Sequence, residues 1–176
     1  KGDRIAIYLP MIPELPVAML AAARLGVIFT VIFSGFSAKA LSDRANDAKA
    51  RALITADGSL RRGKVVPLKS IVDEAMKSCQ NVEKVIVFKR LDGNVNMTQG
   101  RDVWWHETLP KNEVSVEPER IESNEILYLL YTSGTTGKPK AVAHSNGGYT
   151  VYVHSTQKWV FDVNESDVYY CTADIG

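Results

Sequence analysis

The segment VAMLAAARLGVIFTVIFSGF, residues 17–36, admits two readings that lead to different proteins. It is apolar except for Arg24, Thr30 and Ser34, and its twenty residues match the length of a membrane span. As a span it would carry Arg24 near its middle, at a cost of roughly 2.5–3.5 kcal/mol on insertion scales. Gly26 divides it into two textures. Before the glycine lies an Ala/Leu/Met-rich helix former that starts at Pro13. After it comes VIFTVIF, a β-branched and aromatic run suited to a buried strand. Helix, glycine cap, strand is the better account, and a membrane span is not expected.

The same alternation extends in both directions. Strands are expected at 4–9, 27–33, 51–55, 85–88, 126–131 and 168–172. Helices are expected at 13–25, 37–48 with Ser37 as N-cap, 69–78 and 145–160. Residues 61–64 form a basic turn. Residues 91–119 are looser, a surface excursion with a short helix, in which Trp104 and Trp105 serve as a core anchor. Continuous apolar strands alternating with helices predict an α/β fold, a mostly parallel sheet covered on both faces by helices.

Composition narrows the function classes. The 176 residues are 45% hydrophobic and 23% charged, ordinary globular proportions that exclude disordered and low-complexity classes. Lys and Arg number 21 against 20 Asp and Glu, a net charge of +1 that gives no argument for nucleic acid or an anionic membrane surface. Cys79 and Cys171 lie far apart, in neither a zinc spacing nor a disulfide framework, which fits a reducing, cytoplasmic setting. His106, His144 and His154 lack metal-ligand spacing, so no metal site is expected. The chain opens on a strand without an initiator Met or a signal peptide and stops just after another strand, and reads as a piece of something longer. The sequence sets no oligomeric state.

The chemistry concentrates in YTSGTTGKPK, residues 131–140. This run follows an apolar strand, so it falls at the strand's C-terminal end, where open α/β sheets bind ligands. Gly134 and Gly137 allow close backbone approach. The hydroxyls of Thr132, Ser133, Thr135 and Thr136 offer donors, and Lys138 and Lys140 supply charge, a set suited to a polyphosphate. The plainer alternative is a Gly/Thr turn with solvated lysines. Only two residues separate the glycines and Pro139 stands where Ser or Thr would follow the lysine, so this is not a Walker A loop. Tyr131 in place of the first glycine also removes a G-x-S-x-G nucleophile elbow at Ser133.

Residues 131–140 resemble, letter for letter, the phosphate-loop signature of the adenylate-forming superfamily. Ala56-Asp57 ahead of Arg61-Arg62-Gly63-Lys64, then GRDVWW at 100–105, His144 with Gly147-Gly148-Tyr149, and CTADIG at 171–176 are similar to its acetyl-CoA synthetase branch. The resemblance covers essentially the whole chain. It implies that residues 1–176 are an incomplete, internal portion of a large N-terminal AMP-binding (adenylation) domain, with the mobile C-terminal domain absent. It further implies an AMP-forming acetate–CoA ligase, with propionate–CoA ligase, another short-chain acyl-CoA synthetase or a non-catalytic nucleotide- or CoA-binding relative as alternatives.

In the implied reaction a carboxylate attacks the α-phosphorus of ATP, pyrophosphate leaves, and the thiol of coenzyme A displaces AMP from the acyl-adenylate. The substrates are then acetate, ATP and coenzyme A, with Mg²⁺ held by a ligand outside these residues and no catalytic residue within them. Charge gathering on the leaving pyrophosphate calls for hydroxyls, backbone N–H groups and lysines. The resemblance assigns Thr132, Ser133, Gly134, Thr135, Thr136 and Gly137 to the β- and γ-phosphates, with Lys138 and Lys140 as charge partners. It assigns Arg61, Arg62, Gly63 and Lys64 to the phosphorylated nucleotide end of coenzyme A, where a guanidinium can grip phosphate or stack on adenine and Lys64 acts as a point charge. His144 lies close enough to the loop to line the nucleotide site or to pack beside it. Cys171 is expected as a buried small hydrophobe and Asp174 as structural. One departure stands out: the family continues Pro-Lys-Gly where this chain has Ala141. If that position sits at positive φ, alanine costs about a kcal/mol or more; in extended geometry the change is mild.

Overall fold

A computed structural model describes residues 1–112, 114–132 and 139–176. In chain order the elements are β1 (Arg4–Tyr8), α1 (Glu14–Arg24), β2 (Ile28–Val31), α2 (Ala38–Asp47), β3 (Ala52–Ala56), β4 (Ser59–Arg61), β5 (Lys64–Val66), α3 (Leu68–Met76), β6 (Lys84–Phe88), β7 (Asp102–Trp104), α4 (Trp105–Thr108), β8 (Ile126–Thr132), β9 (Lys140–Ser145) and α5 (Asn146–Ser155), which runs into a π-helical turn, Thr156–Val160. Seven strands form one sheet in the order β7-β6-β3-β1-β2-β8-β9, and β4 with β5 make a separate hairpin. Every pairing in the large sheet is parallel except β8 with β9. This is the expected α/β architecture. Right-handed crossovers put α1 on one face and α2 and α3 on the other.

The 17–36 segment resolves as helix, cap and strand. Gly26 has φ +64°; its N–H donates to the carbonyl of Ala23, and the Val27 N–H donates to that of Ala22, closing a Schellman motif. A side chain at this left-handed φ is strained, so the glycine both stops α1 and turns the chain into β2. No helix among the described residues is long and apolar enough to cross a membrane. Ser37 caps α2 by accepting from the Ala40 N–H.

Three differences from the sequence reading stand out. First, residues 140–144, for which the sequence predicts no element, form β9 together with Ser145, hydrogen-bonded antiparallel to β8. Second, Asp102–Trp104 is an edge strand on β6, while Trp105 packs its ring edge-on against Phe88 at 6.3 Å, the core anchor expected of the tryptophan pair. Third, residues 168–172 form no strand. A strand exists only with a partner to complete its ladder, and these residues have none among the described residues; Val168 and Tyr170 lie open to solvent, and Cys171 is exposed rather than buried.

A buried ionic network ties the 96–102 segment to α3. The Lys69 side chain, 1% exposed, reaches Asp73 at 2.7 Å, Asp102 at 2.8 Å and the Asn96 carbonyl at 2.7 Å. Arg101 bonds to the same two carboxylates. Burial pushes the Asp102 carboxyl up, but hydrogen bonds from Arg101, Lys69 and the Thr98 N–H outweigh it and hold the group below its ordinary value. Its contribution to stability is therefore present above about pH 4 and is lost as pH falls through the lower folded value. We expect Asp102→Ala to cost about 3 kcal/mol in urea unfolding at pH 7, by leaving Lys69 short of a counter-charge, and the difference from the unaltered protein to shrink below about pH 4.

Candidate functional site

The strand order fixes where the candidate residues meet. The strands β1, β2, β3, β6, β7 and β8 all run the same way, so their carboxyl ends share one edge. The β4–β5 hairpin leaves that edge after β3, and β8 reaches it at Thr132. Two strands, β1 and β2, lie between, which sets the two exits about 14 Å apart at the usual strand spacing. The basic turn and the end of β8 at Thr132 thus share the edge at which open α/β sheets bind ligands.

Asp57 roots the hairpin. Buried at the end of β3, its carboxylate accepts from the N–H groups of Gly58 at 2.7 Å, Arg90 at 2.9 Å and Leu91 at 2.9 Å, fixing two chain segments at once. Beyond it the basic run forms the tip of a two-residue hairpin turn. Arg61 pairs with Lys64, and Arg62 (φ 51°) and Gly63 (φ 74°) both occupy the left-handed region that such a turn requires. Cross-strand pairing thus sets two cations side by side. Among the described residues, none of Arg61, Arg62 and Lys64 forms an ion pair. The turn is exposed and presents uncompensated positive charge.

Arg61 does not wave freely. Its guanidinium lies over the Phe33 ring, 5.0 Å from the centroid. Gly35 permits this: a Cβ there would fall 2.4 Å from Arg61 Nη1 and 2.4 Å from the Phe33 ring. The 33–36 loop that carries Phe33 and Gly35 is held by β1, because Tyr8 Oη donates to the Phe36 carbonyl at 2.7 Å, with the Ser34 carbonyl at 3.1 Å. Burial pushes the Tyr8 phenol up to about 12.

Of the Gly/Thr run, residues 133–138 lie outside the described residues, so Ser133, Gly134, Thr135, Thr136, Gly137 and Lys138 receive no structural account. Their flanks are described. Thr132 and Lys140 are register partners at the open end of the β8–β9 ladder, so the run is closed at its base by strand pairing. Ala141 sits in that ladder opposite Tyr131 and is not among the positive-φ residues. The milder of the two expectations for it therefore holds. His144 stacks face to face on Tyr128, 4.4 Å between centroids and 6° between planes, and so packs within the sheet. Asp174 accepts from the Gly176 N–H, a local structural bond. Among the described residues no group of three His, Cys, Asp or Glu side chains converges as a metal site. Sequence reasoning missed the contacts of Tyr131, whose Oη donates to Asp47 Oδ2 at 2.6 Å, with the Arg44 carbonyl at 3.3 Å. Nothing local in the sequence links positions 84 residues apart.

Comparison with known proteins places these features in context. The family profile described as AMP-binding enzyme matches residues 1–176. The chain is 53% identical over 176 residues to an acetyl-coenzyme A synthetase of Rubrobacter xylanophilus and 56% identical over 180 positions to one of Pyrobaculum arsenaticum. Each alignment takes in 100% of this chain and 27% of the relative. Among solved structures, an acetoacetyl-CoA synthetase from Streptomyces lividans superposes with a TM-score of 0.85 at 32% identity, over 94% of this chain and 25% of that one. The chain thus spans about a quarter of the length of the relatives it matches.

The Tyr8 tether carries a prediction. A phenol that ionises less readily in the folded chain contributes its full stability below about pH 10, its unfolded value, and loses it progressively as pH rises toward 12. Tyr8→Phe should lower the thermal unfolding midpoint at pH 7 by the equivalent of about 1 kcal/mol. In a pH series it should also flatten the fall in midpoint between pH 10 and 12.

Proposed function

The chain belongs to the AMP-binding enzymes, and from that premise we propose that residues 1–176 are part of the N-terminal adenylation domain of an AMP-forming acetate–CoA ligase. Identity above 50% to acetyl-coenzyme A synthetases along the entire chain carries this reading. It is supported by a carboxyl edge from which both the basic hairpin and the end of β8 at Thr132 emerge. Residues 1–176 by themselves are expected to form no acetyl-CoA.

In the proposed reaction a carboxylate oxygen of acetate bonds to the α-phosphorus of ATP, and the bond from that phosphorus to the bridging oxygen breaks. The electron pair leaves with pyrophosphate. Thr132, Ser133, Gly134, Thr135, Thr136 and Gly137 receive the β- and γ-phosphates through hydroxyls and backbone N–H groups, while Lys138 and Lys140 meet the growing charge. The thiolate of coenzyme A then attacks the acyl carbon and AMP departs. Arg61, Arg62, Gly63 and Lys64 bind the phosphorylated nucleotide end of coenzyme A, and the stacked pose of Arg61 on Phe33 offers a planar cation to its adenine or a forked donor to its phosphate. Mg²⁺ would screen the polyphosphate, with ligands outside these residues. Acetate, ATP and coenzyme A are the small-molecule partners, and the cytoplasm is the compartment we assign.

Two measurements on the full-length protein test this. Acetate-dependent ATP–pyrophosphate exchange should be strong, and should fall by at least about a hundredfold in Thr135→Ala/Lys140→Ala. No exchange with acetate, propionate or butyrate would remove the ligase assignment. Separately, Arg61→Ala should raise the KM for coenzyme A about tenfold while leaving exchange intact, because only the second half-reaction uses the hairpin.

A further inference from the structure

We propose that Asp47, at the end of α2, is a positioning residue for adenylate formation, acting through Tyr131 to fix the point from which the phosphate loop leaves the sheet. The proposal rests on the phosphate reading of residues 132–138 and adds to it the device that aims the loop.

The geometry is a three-way junction. Tyr131 is the last half-buried residue of β8 before the loop. Its phenol donates to Asp47 Oδ2 at 2.6 Å and lies 3.3 Å from the Arg44 carbonyl, so it engages the last turn of α2 through both a side chain and the backbone. Arg44 in turn lays its guanidinium over the Phe36 ring at 4.5 Å, with the Tyr131 ring 5.7 Å away. Phe36 is the residue whose carbonyl Tyr8 holds, and it meets Phe33 edge-on at 5.5 Å. The carboxyl ends of β1, β2 and β8 are thereby fastened to one helix. Burial, then the hydrogen bond to Asp47, pushes the Tyr131 phenol well above its ordinary value, so it remains a donor at physiological pH.

This arrangement matters because the parallel ladder says little about the top of β8. Among the described residues its only register pair with β2 is Phe29 with Tyr128, three residues before Tyr131. On its other side β8 is paired through Thr132, but β9 is itself the outermost strand of the sheet. The Tyr131–Asp47 bond supplies lateral fixation where the ladder to β2 has ended. A loop whose origin drifts by an ångström presents its donors to the wrong oxygens, and such errors cost a hundredfold in rate in well-aligned sites.

The test uses the full-length protein and reads the two half-reactions apart. ATP–pyrophosphate exchange reports adenylate formation, and supplied acetyl-adenylate with coenzyme A reports thioester formation. Tyr131→Phe and Asp47→Ala should each lower exchange about tenfold, chiefly in kcat, and the double variant should lose no more than the worse single one. Asp47→Asn, which keeps an acceptor oxygen, should recover most of the loss. Thioester formation from supplied acetyl-adenylate should stay within about twofold, and the thermal midpoint should fall no further than that of Tyr8→Phe. Equal losses in both half-reactions together with a lowered midpoint would make Asp47 merely structural and overturn the proposal. So would unchanged exchange in Asp47→Ala while Thr135→Ala collapses it. Unchanged exchange in Thr135→Ala would instead remove the phosphate reading on which the proposal stands.

Discussion

Parallel pairing on both sides of β1 is the constraint from which the rest of this structure follows. Ala6, Ile7 and Tyr8 are fully buried, and the strand is hydrogen-bonded to β2 on one flank and β3 on the other. A strand with no free edge and no free face can be a continuous apolar run, which its sequence supplies from Ile5 onward. Parallel neighbours then oblige each connection to cross back over a face, so the helices fall into two layers and the strands' carboxyl ends collect along one edge. The hairpin and the end of β8 share that edge because β3 and β8 run the same way.

How far the sequence discloses this depends on whether a signal is local. The α1–Gly26–β2 passage is readable because its elements are local: a change from helix-forming to β-branched residues, and a glycine where a left-handed φ must stop the helix. Ser37 is legible for the same reason. The strand β9 is not. KAVAHS has weak alternation and begins beside a proline, and its extended state comes from the ladder it makes with β8. Residues 168–172 show the converse: VYYCT has the intrinsic preference of a strand but no partner among the described residues, and preference alone cannot satisfy a backbone. Lys69, in the first turn of α3, carries no local signal of burial, and only the packing of a distant loop makes it the centre of a buried network.

The candidate site divides along the same line. The motifs at 61–64 and 131–140 are legible as chemistry because each is a contiguous cluster of phosphate-binding residue types. What supports them is not. Asp57 under the hairpin, Gly35 under Arg61, Tyr8 holding the 33–36 loop and Asp47 beside Tyr131 are all contacts between positions far apart in the chain. A motif names the groups that touch a ligand, while the residues that aim those groups are selected by tertiary geometry and leave no pattern of their own. Ala141 is a case where geometry removes a concern: in a ladder position opposite Tyr131, the missing glycine asks nothing unusual of the backbone.

The like-charged tip of the hairpin has a kinetic consequence. Arg61, Arg62 and Lys64 crowd onto a narrow ribbon that juts from a chain of net charge +1, so the field near that tip is far stronger than the whole-molecule charge suggests. At physiological ionic strength such a field reaches about 8 Å before it is screened, which is enough to turn an approaching polyanion before any contact forms. If the hairpin binds a polyanion as proposed, this field would speed the encounter as well as hold the bound ligand, and the capture rate would fall with added salt.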